Sequence, residues 1–124
     1  MQNYNSKFKS DLRQRCYKFS LDVINLMDIL PNKRSSWVIS DQVIRSATSV
    51  GANITEAKAS SSRLEFKKFY EIALKSSNET KFWLDLLRNS KLVDSGRINP
   101  LLNEIDEISR MLASGVLKLK GKKL

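Results

Sequence analysis

The sequence predicts an all-α protein, an antiparallel up-down four-helix bundle made by one domain over residues 1–124. Three observations lead there: four apolar stripes each advance by threes and fours, three short polar joints separate them, and only four glycines and two prolines interrupt the chain. Steps of three and four keep side chains on one side of a helix, whereas a half-buried strand would alternate. So few turn residues leave no room for the many tight turns of a sandwich or barrel.

The first helix is expected over 6–30, where Phe8, Leu12, Cys16, Phe19, Val23, Leu26 and Leu30 follow one face up to the stop at Pro31. The second is expected over 36–59, capped by Ser35 or Ser36, with Ile39, Val43, Ala47, Val50, Ile54 and Ala57 as its apolar line. Ser62-Arg63-Leu64-Glu65 has the capping-box pattern and opens a third helix over 63–90. Its stripe is the most regular of the four: Phe66, Phe69, Ala73, Ser76, Thr80, Trp83 and Leu87. Small residues at its centre let a neighbouring helix come close. The fourth is expected over 98–120, with Asn99 as cap, Pro100 in the first helical position, and Ile98, Leu101, Ile105, Ile108, Leu112, Gly115 and Leu119 as its stripe. Short joints make these helices run up, down, up, down.

Twenty-two Lys and Arg stand against thirteen Asp and Glu, a formal charge of +9. In the up-down topology the start of the first helix, the joint between the second and third, and the end of the fourth meet at one pole. Residues 1–18, 56–69 and 112–124 hold thirteen basic groups and three acids, so the pole is +10 and the remainder −1. Uniformly wet surfaces would spread the surplus. A concentrated patch instead gains entropy by displacing counterions from a polyanion, giving salt-sensitive binding of RNA or DNA that is largely independent of sequence. The residues expected to make phosphate contacts are Arg13, Arg15, Lys18, Lys58, Arg63, Lys67, Lys68, Lys118, Lys120 and Lys122. Tyr4, Tyr17, Trp37, Tyr70 and Phe82 are the aromatics available for stacking outside the core stripes. The alternative use of the pole is to dock an acidic protein without any nucleic acid.

Beside the apolar line of the second helix runs a polar seam, Gln42, Ser46, Ser49, Asn53 and Glu56, again at steps of four and three. Half-buried polar groups need partners, and Ser76, Glu79 and Thr80 of the third helix are placed to supply them, with Arg45 or Lys75 offsetting a carboxylate. The seam is either a network that sets helix register or a subunit interface or ligand groove.

The run Gln42-Val43-Ile44-Arg45-Ser46-Ala47-Thr48-Ser49-Val50-Gly51-Ala52-Asn53-Ile54-Thr55-Glu56-Ala57, followed by Phe66, Ala73, Leu74-Lys75 and Asn78-Glu79-Thr80-Lys81-Phe82-Trp83-Leu84, resembles the four-helix-bundle family of 23S rRNA intervening-sequence proteins. That family is related to the accessory variability proteins of diversity-generating retroelements. The resemblance implies a homopentameric ring and a role near structured RNA, a ribosomal component or a reverse transcriptase.

Catalysis is not expected. The chain has no histidine to act as a neutral-pH base or zinc ligand, its one cysteine lacks an activating partner, and Gly51 and Gly115 stand singly inside helical patterns. Glu104, Asp106 and Glu107 are the densest acids, but they suit the dipole near the start of the fourth helix. No cofactor is implied. No apolar run approaches the roughly 20 residues of a membrane span, and Met1-Gln2-Asn3-Tyr4 lacks the apolar stretch of a signal peptide, so a cytoplasmic protein with no membrane partner is expected.

Overall fold

The structure, a computed structural model, describes residues 4–121, with side chains described over 12–121. Four helices follow one another: α1 (Tyr4–Met27), α2 (Arg34–Ala59), α3 (Arg63–Ser90) and α4 (Ser95–Leu119). Each packs on its neighbour in sequence, and α1 closes the square against α4. The joints are short enough to force consecutive helices antiparallel, as in an up-down bundle. Among the described residues the α2–α3 interface is the most extensive, and the α1–α4 interface is the slimmest. Among the described residues no helix is long and apolar enough to cross a membrane.

Three of the four apolar stripes meet in the core as their spacing demands. Leu12, Cys16, Phe19, Val23 and Leu26 of α1, Val43, Ala47, Val50 and Ile54 of α2, and Ile98, Leu101, Ile105, Ile108 and Leu112 of α4 are buried together. Phe8 lies outside the residues whose side chains are described. The α3 stripe is rotated relative to expectation. Its buried line is Ala73, Ser77, Thr80, Leu84 and Leu87, while Phe66, Phe69, Ser76 and Trp83 are half-buried. Helix α3 is flanked by both α2 and α4, so two lines share its inner face: Ser76 leans to α2, where it meets Ser49 at 2.9 Å, and Ser77 leans to α4, where it accepts a hydrogen bond from Ser109 at 2.7 Å. At the end of α4, Val116 takes the core position and Gly115 and Leu119 are half-buried.

Helix ends depart from the sequence reading for local reasons. Helix α1 stops at Met27 rather than Leu30, because a residue before proline is pushed out of the helical region; Ile29 and Leu30 donate to Leu26 and Met27 in a tightening turn. Helix α2 begins at Arg34, before either candidate serine, with Lys33 as an N-cap that makes no side-chain bond. There Trp37 donates its indole N–H to Asn32 at 2.8 Å, which pins the chain entering the helix. Helix α4 starts at Ser95, with Asp94 as N-cap and Pro100 inside the helix rather than at its first position. Proline removes the bond that the Gly96 carbonyl would accept, and both residues are exposed, where water can satisfy that oxygen. The α3 cap is as the capping box requires in part: Ser62 Oγ accepts from the Glu65 amide at 3.1 Å, but the Glu65 carboxylate takes the amide of Ser61, one residue before the cap.

Helix α3 ends on Lys91, which sits in the left-handed region at φ 61°, ψ 23° and donates its amide to the Arg88 carbonyl. That conformation costs a residue with a Cβ about 1 kcal/mol and costs glycine almost nothing. Lys91→Gly is therefore expected to stabilise the fold by about 0.5–1 kcal/mol, read as a raised urea midpoint with an unchanged slope; a destabilised variant would show that the left-handed cap carries no strain.

Candidate nucleic-acid interface

The joint between α2 and α3 is only Ser60, Ser61 and Ser62, and it brings basic residues from both helices to one end of the bundle. Arg63, the first residue of α3, reaches across that end: its guanidinium donates to the carbonyls of Lys118 and Leu119, both at 3.4 Å. Both carbonyls belong to the last turn of α4, where that of Lys118 also accepts from the Gly121 amide at 3.0 Å, and a cation there suits the helix dipole. One residue further on, Lys120 pairs with Glu71 of α3 at 3.7 Å. Beneath the clamp, Phe66 and Tyr70 stack with ring centroids 4.9 Å apart. The Tyr70 ring lies against α4 where Gly115 has no side chain; a Cβ there would stand 2.8 Å from the ring. Burial pushes the Tyr70 phenol above its ordinary value. Among the described residues, this part of the pole is thus packed across α3 and α4.

The predicted phosphate-binding residues divide into three groups. Arg13 on α1, Lys58 on α2, Arg63, Lys67 and Lys68 on α3, and Lys118 and Lys120 on α4 come together around the short joint and the end of α4. Arg13, Arg63, Lys68, Lys118 and Lys120 are exposed, and Lys58 and Lys67 are half-buried. Lys122 lies outside the described residues.

Arg15 and Lys18 form the remaining group, on the side of α1 that faces α4. Arg15 Nε and Nη2 donate to the two carboxylate oxygens of Glu104 at 2.9 and 2.8 Å, and Glu107 lies 4.0 Å away. Lys18 donates to Asp22 at 2.8 Å, and that hydrogen bond, followed by the carboxylate's charge, raises the ammonium pKa. Both cations are therefore matched by acids that lie outside the segments counted as the pole. The Lys18–Asp22 pair was legible as an i,i+4 spacing, but the Arg15–Glu104 pair spans most of the chain and has no local signal.

The stacking candidates also divide. Tyr17, Trp37 and Phe82 are exposed, whereas Tyr70 is committed to the contact with Gly115, and the Tyr4 side chain lies outside those described. Cys16 is buried where α1 meets Gly51 of α2, and burial, followed by the charge of Glu104, pushes its thiol up to about 12. It therefore stays a neutral hydrophobe.

The polar seam lies between α2 and α3. Arg45 forms an ion pair with Glu79 and donates through Nε to Gln42 at 2.9 Å, while Trp83 donates its indole N–H to Glu79 at 2.9 Å. Ser49 bonds Ser76, and Asn53 donates to the Ser49 carbonyl at 2.8 Å. Ser46 and Thr80 turn back onto the carbonyls of Gln42 and Ser76 in their own helices. Glu56 stays exposed, nearer the basic pole. The arrangement joins α2 to α3 along the seam. Trp83 is the member that its place on an apolar stripe concealed.

A family model described as 23S rRNA-intervening sequence protein matches residues 9–114. Among solved structures, the chain is similar to a protein of unknown function from the S23 ribosomal protein family of Bacteroides thetaiotaomicron VPI-5482. The two are 35% identical with a TM-score of 0.79, over 85% of this chain and 97% of that one. A comparison with curated proteins finds no match.

The Trp83 hydrogen bond, followed by the bond and charge from Arg45, holds the Glu79 carboxyl below its ordinary value of 4.5. A depressed folded-state pKa contributes stability that is present in full above the unfolded value and is lost as pH falls through the folded one. Glu79→Gln should therefore destabilise the protein at neutral pH, and the gap between variant and wild type should close as the pH is lowered below about 4.5. Urea midpoints across that range measure it, and a pH-independent gap would remove Glu79 ionisation from the seam.

Proposed function

The chain belongs to the family of 23S rRNA-intervening sequence proteins, and from that premise we propose that it is a non-enzymatic, oligomeric scaffold for structured RNA that holds phosphates at its basic pole. The observation that carries this reading is the contact of Arg63 with the Lys118 and Leu119 carbonyls, which joins the start of α3 to the end of α4 at the end of the bundle where Lys67, Lys68 and Lys118 stand. Flexible lysines on a rigid end can follow phosphates on many sequences, because phosphate contacts set position without reading bases. Arg15 and Lys18, engaged by carboxylates, are left out of the contact set. A homopentameric ring, implied by the resemblance of the α2 and α3 motifs, would bring each copy's pole to a common face by symmetry. Exposed apolar residues on the bundle's sides, Phe82 and Leu86 of α3 and Val38 of α2, are surface that association would cover. A cytoplasmic location and a ribosomal component or reverse transcriptase as neighbour fit the same reading.

Titration with a structured RNA at several salt concentrations tests the proposal. The logarithm of affinity should fall linearly with the logarithm of salt, and the triple variant Lys67→Glu, Lys68→Glu, Lys118→Glu should bind more weakly and shallow that slope by roughly one unit per phosphate contact removed. These side chains are exposed or half-buried, so the melting transition should be preserved. Arg15→Ala should behave in the opposite way, costing about 1–2 kcal/mol of stability through the lost Glu104 bonds while leaving RNA affinity unchanged. Absent or salt-insensitive RNA binding would overturn the proposal in favour of an acidic protein partner.

A further inference from the structure

Between α1 and α2 the outer surface is hollowed into an open groove of about 610 Å3. Tyr17, Leu21 and Ile24 line it from α1, and Thr48, Ala52 and Thr55 from α2. Gly51 gives the groove its depth: a Cβ there would sit 3.3 Å from the Cβ of Cys16, so the missing side chain lets the two helices sink together. Tyr17 is 70% exposed and Leu21 is 45% exposed, an apolar surface that the bundle itself does not cover.

The groove is not isolated from the charged end. Arg13, the one charged residue among those lining it, stands at the end where α1 approaches the joint between α2 and α3. Arg13 is exposed and has no acidic partner among the described residues. A ligand lying in the groove therefore continues onto the basic pole. It must present a flat apolar face to Tyr17 and an anionic thread to Arg13, and both belong to an unpaired nucleotide in a nucleic acid strand.

Resting on the reading of the pole as a phosphate surface, we propose that the α1–α2 groove takes an unpaired base of the bound RNA, stacked on the Tyr17 ring with its neighbouring phosphate at Arg13. The hydroxyls of the groove add a chemical preference. Thr48 Oγ1 donates to the Ile44 carbonyl at 2.8 Å and Thr55 Oγ1 to the Gly51 carbonyl at 3.0 Å, so both protons are spent within α2. Neither hydroxyl has a proton left for a ligand, so each could only accept from one, which suits a base carrying an exocyclic amino group, such as adenine.

Fluorescence anisotropy with a labelled oligoadenylate and with a matched RNA duplex tests the site at one low salt concentration. Tyr17→Ala should weaken oligoadenylate binding about 10-fold, the loss expected of one stacked base, while Tyr17→Phe keeps the ring and the affinity. Duplex affinity should be the same in all three proteins, because paired bases are stacked inside the helix. The side chain is largely exposed, so thermal melts should coincide. An unchanged oligoadenylate affinity in Tyr17→Ala, or an equal loss on the duplex, overturns the groove proposal. So does light scattering that shows this variant breaking a wild-type assembly, since a second copy would then be the occupant. If duplex binding persists with its dependence on Lys67 and Lys68, the phosphate reading stands and only the groove falls; if wild type binds neither RNA, both fall.

Discussion

The close approach of α3 to both its neighbours is the constraint on which the bundle depends. Ala73, Ser76, Ser77 and Thr80 make the centre of α3 small, so α2 and α4 pack against it without large side chains between the backbones. Small residues alone would leave the interface short of apolar contact. The hydroxyls compensate by finding partners: Ser76 meets Ser49, Ser77 accepts from Ser109 and itself donates to the Leu74 carbonyl, and Thr80 donates to the Ser76 carbonyl. Buried hydroxyls are costly when unmatched and directional when matched, so these pairs tie α3 to one axial position against each neighbour. With that register set, the three-residue joint can hold the end of α2 beside the start of α3, and Arg63 can meet the end of α4. The position of the charged pole follows from packing at the middle of the molecule.

Much of this architecture could be read from periodicity because three helices each bury one line of side chains. The α1, α2 and α4 stripes have the spacing of a single inward face, and that is where their residues lie. Helix α3 defeated the same reasoning because its inner face serves two partners, and a single best-spaced line cannot describe an arc wide enough to include both Ser76 and Ser77. Helix ends were legible where side chains announce them, as at Ser62, and illegible where the start is set by backbone and neighbours, as at Lys33 and Asp94.

The candidate site shows the same division between local and long-range information. Topology placed the segments at a common end, and seven basic residues are gathered there. A segment count, however, takes charge as belonging to the place where its residue begins. Long side chains reach elsewhere. Arg15 turns across to α4 and Lys18 along α1, so charge counted toward the pole is matched at the side by Glu104 and Asp22. Conversely, Glu71, from beyond the counted residues, approaches Lys120. The α2–α3 seam was easier to foresee because its partners lie on consecutive antiparallel helices, where a seam of polar residues on one implies a matching row on the other.

The slim contact between α1 and α4 makes the molecule unequal in its cohesion. Among the described residues α2, α3 and α4 share the two widest interfaces, whereas α1 leans on α2 over a hollowed groove and adds to its share of the common core the Arg15–Glu104 pair with α4. A structure so divided is expected to open first at α1, with the other three helices as the longer-lived part. Whatever rests in the groove along α1 also acts as a strap across that weak seam, so occupancy at the surface is converted into cohesion of the whole bundle.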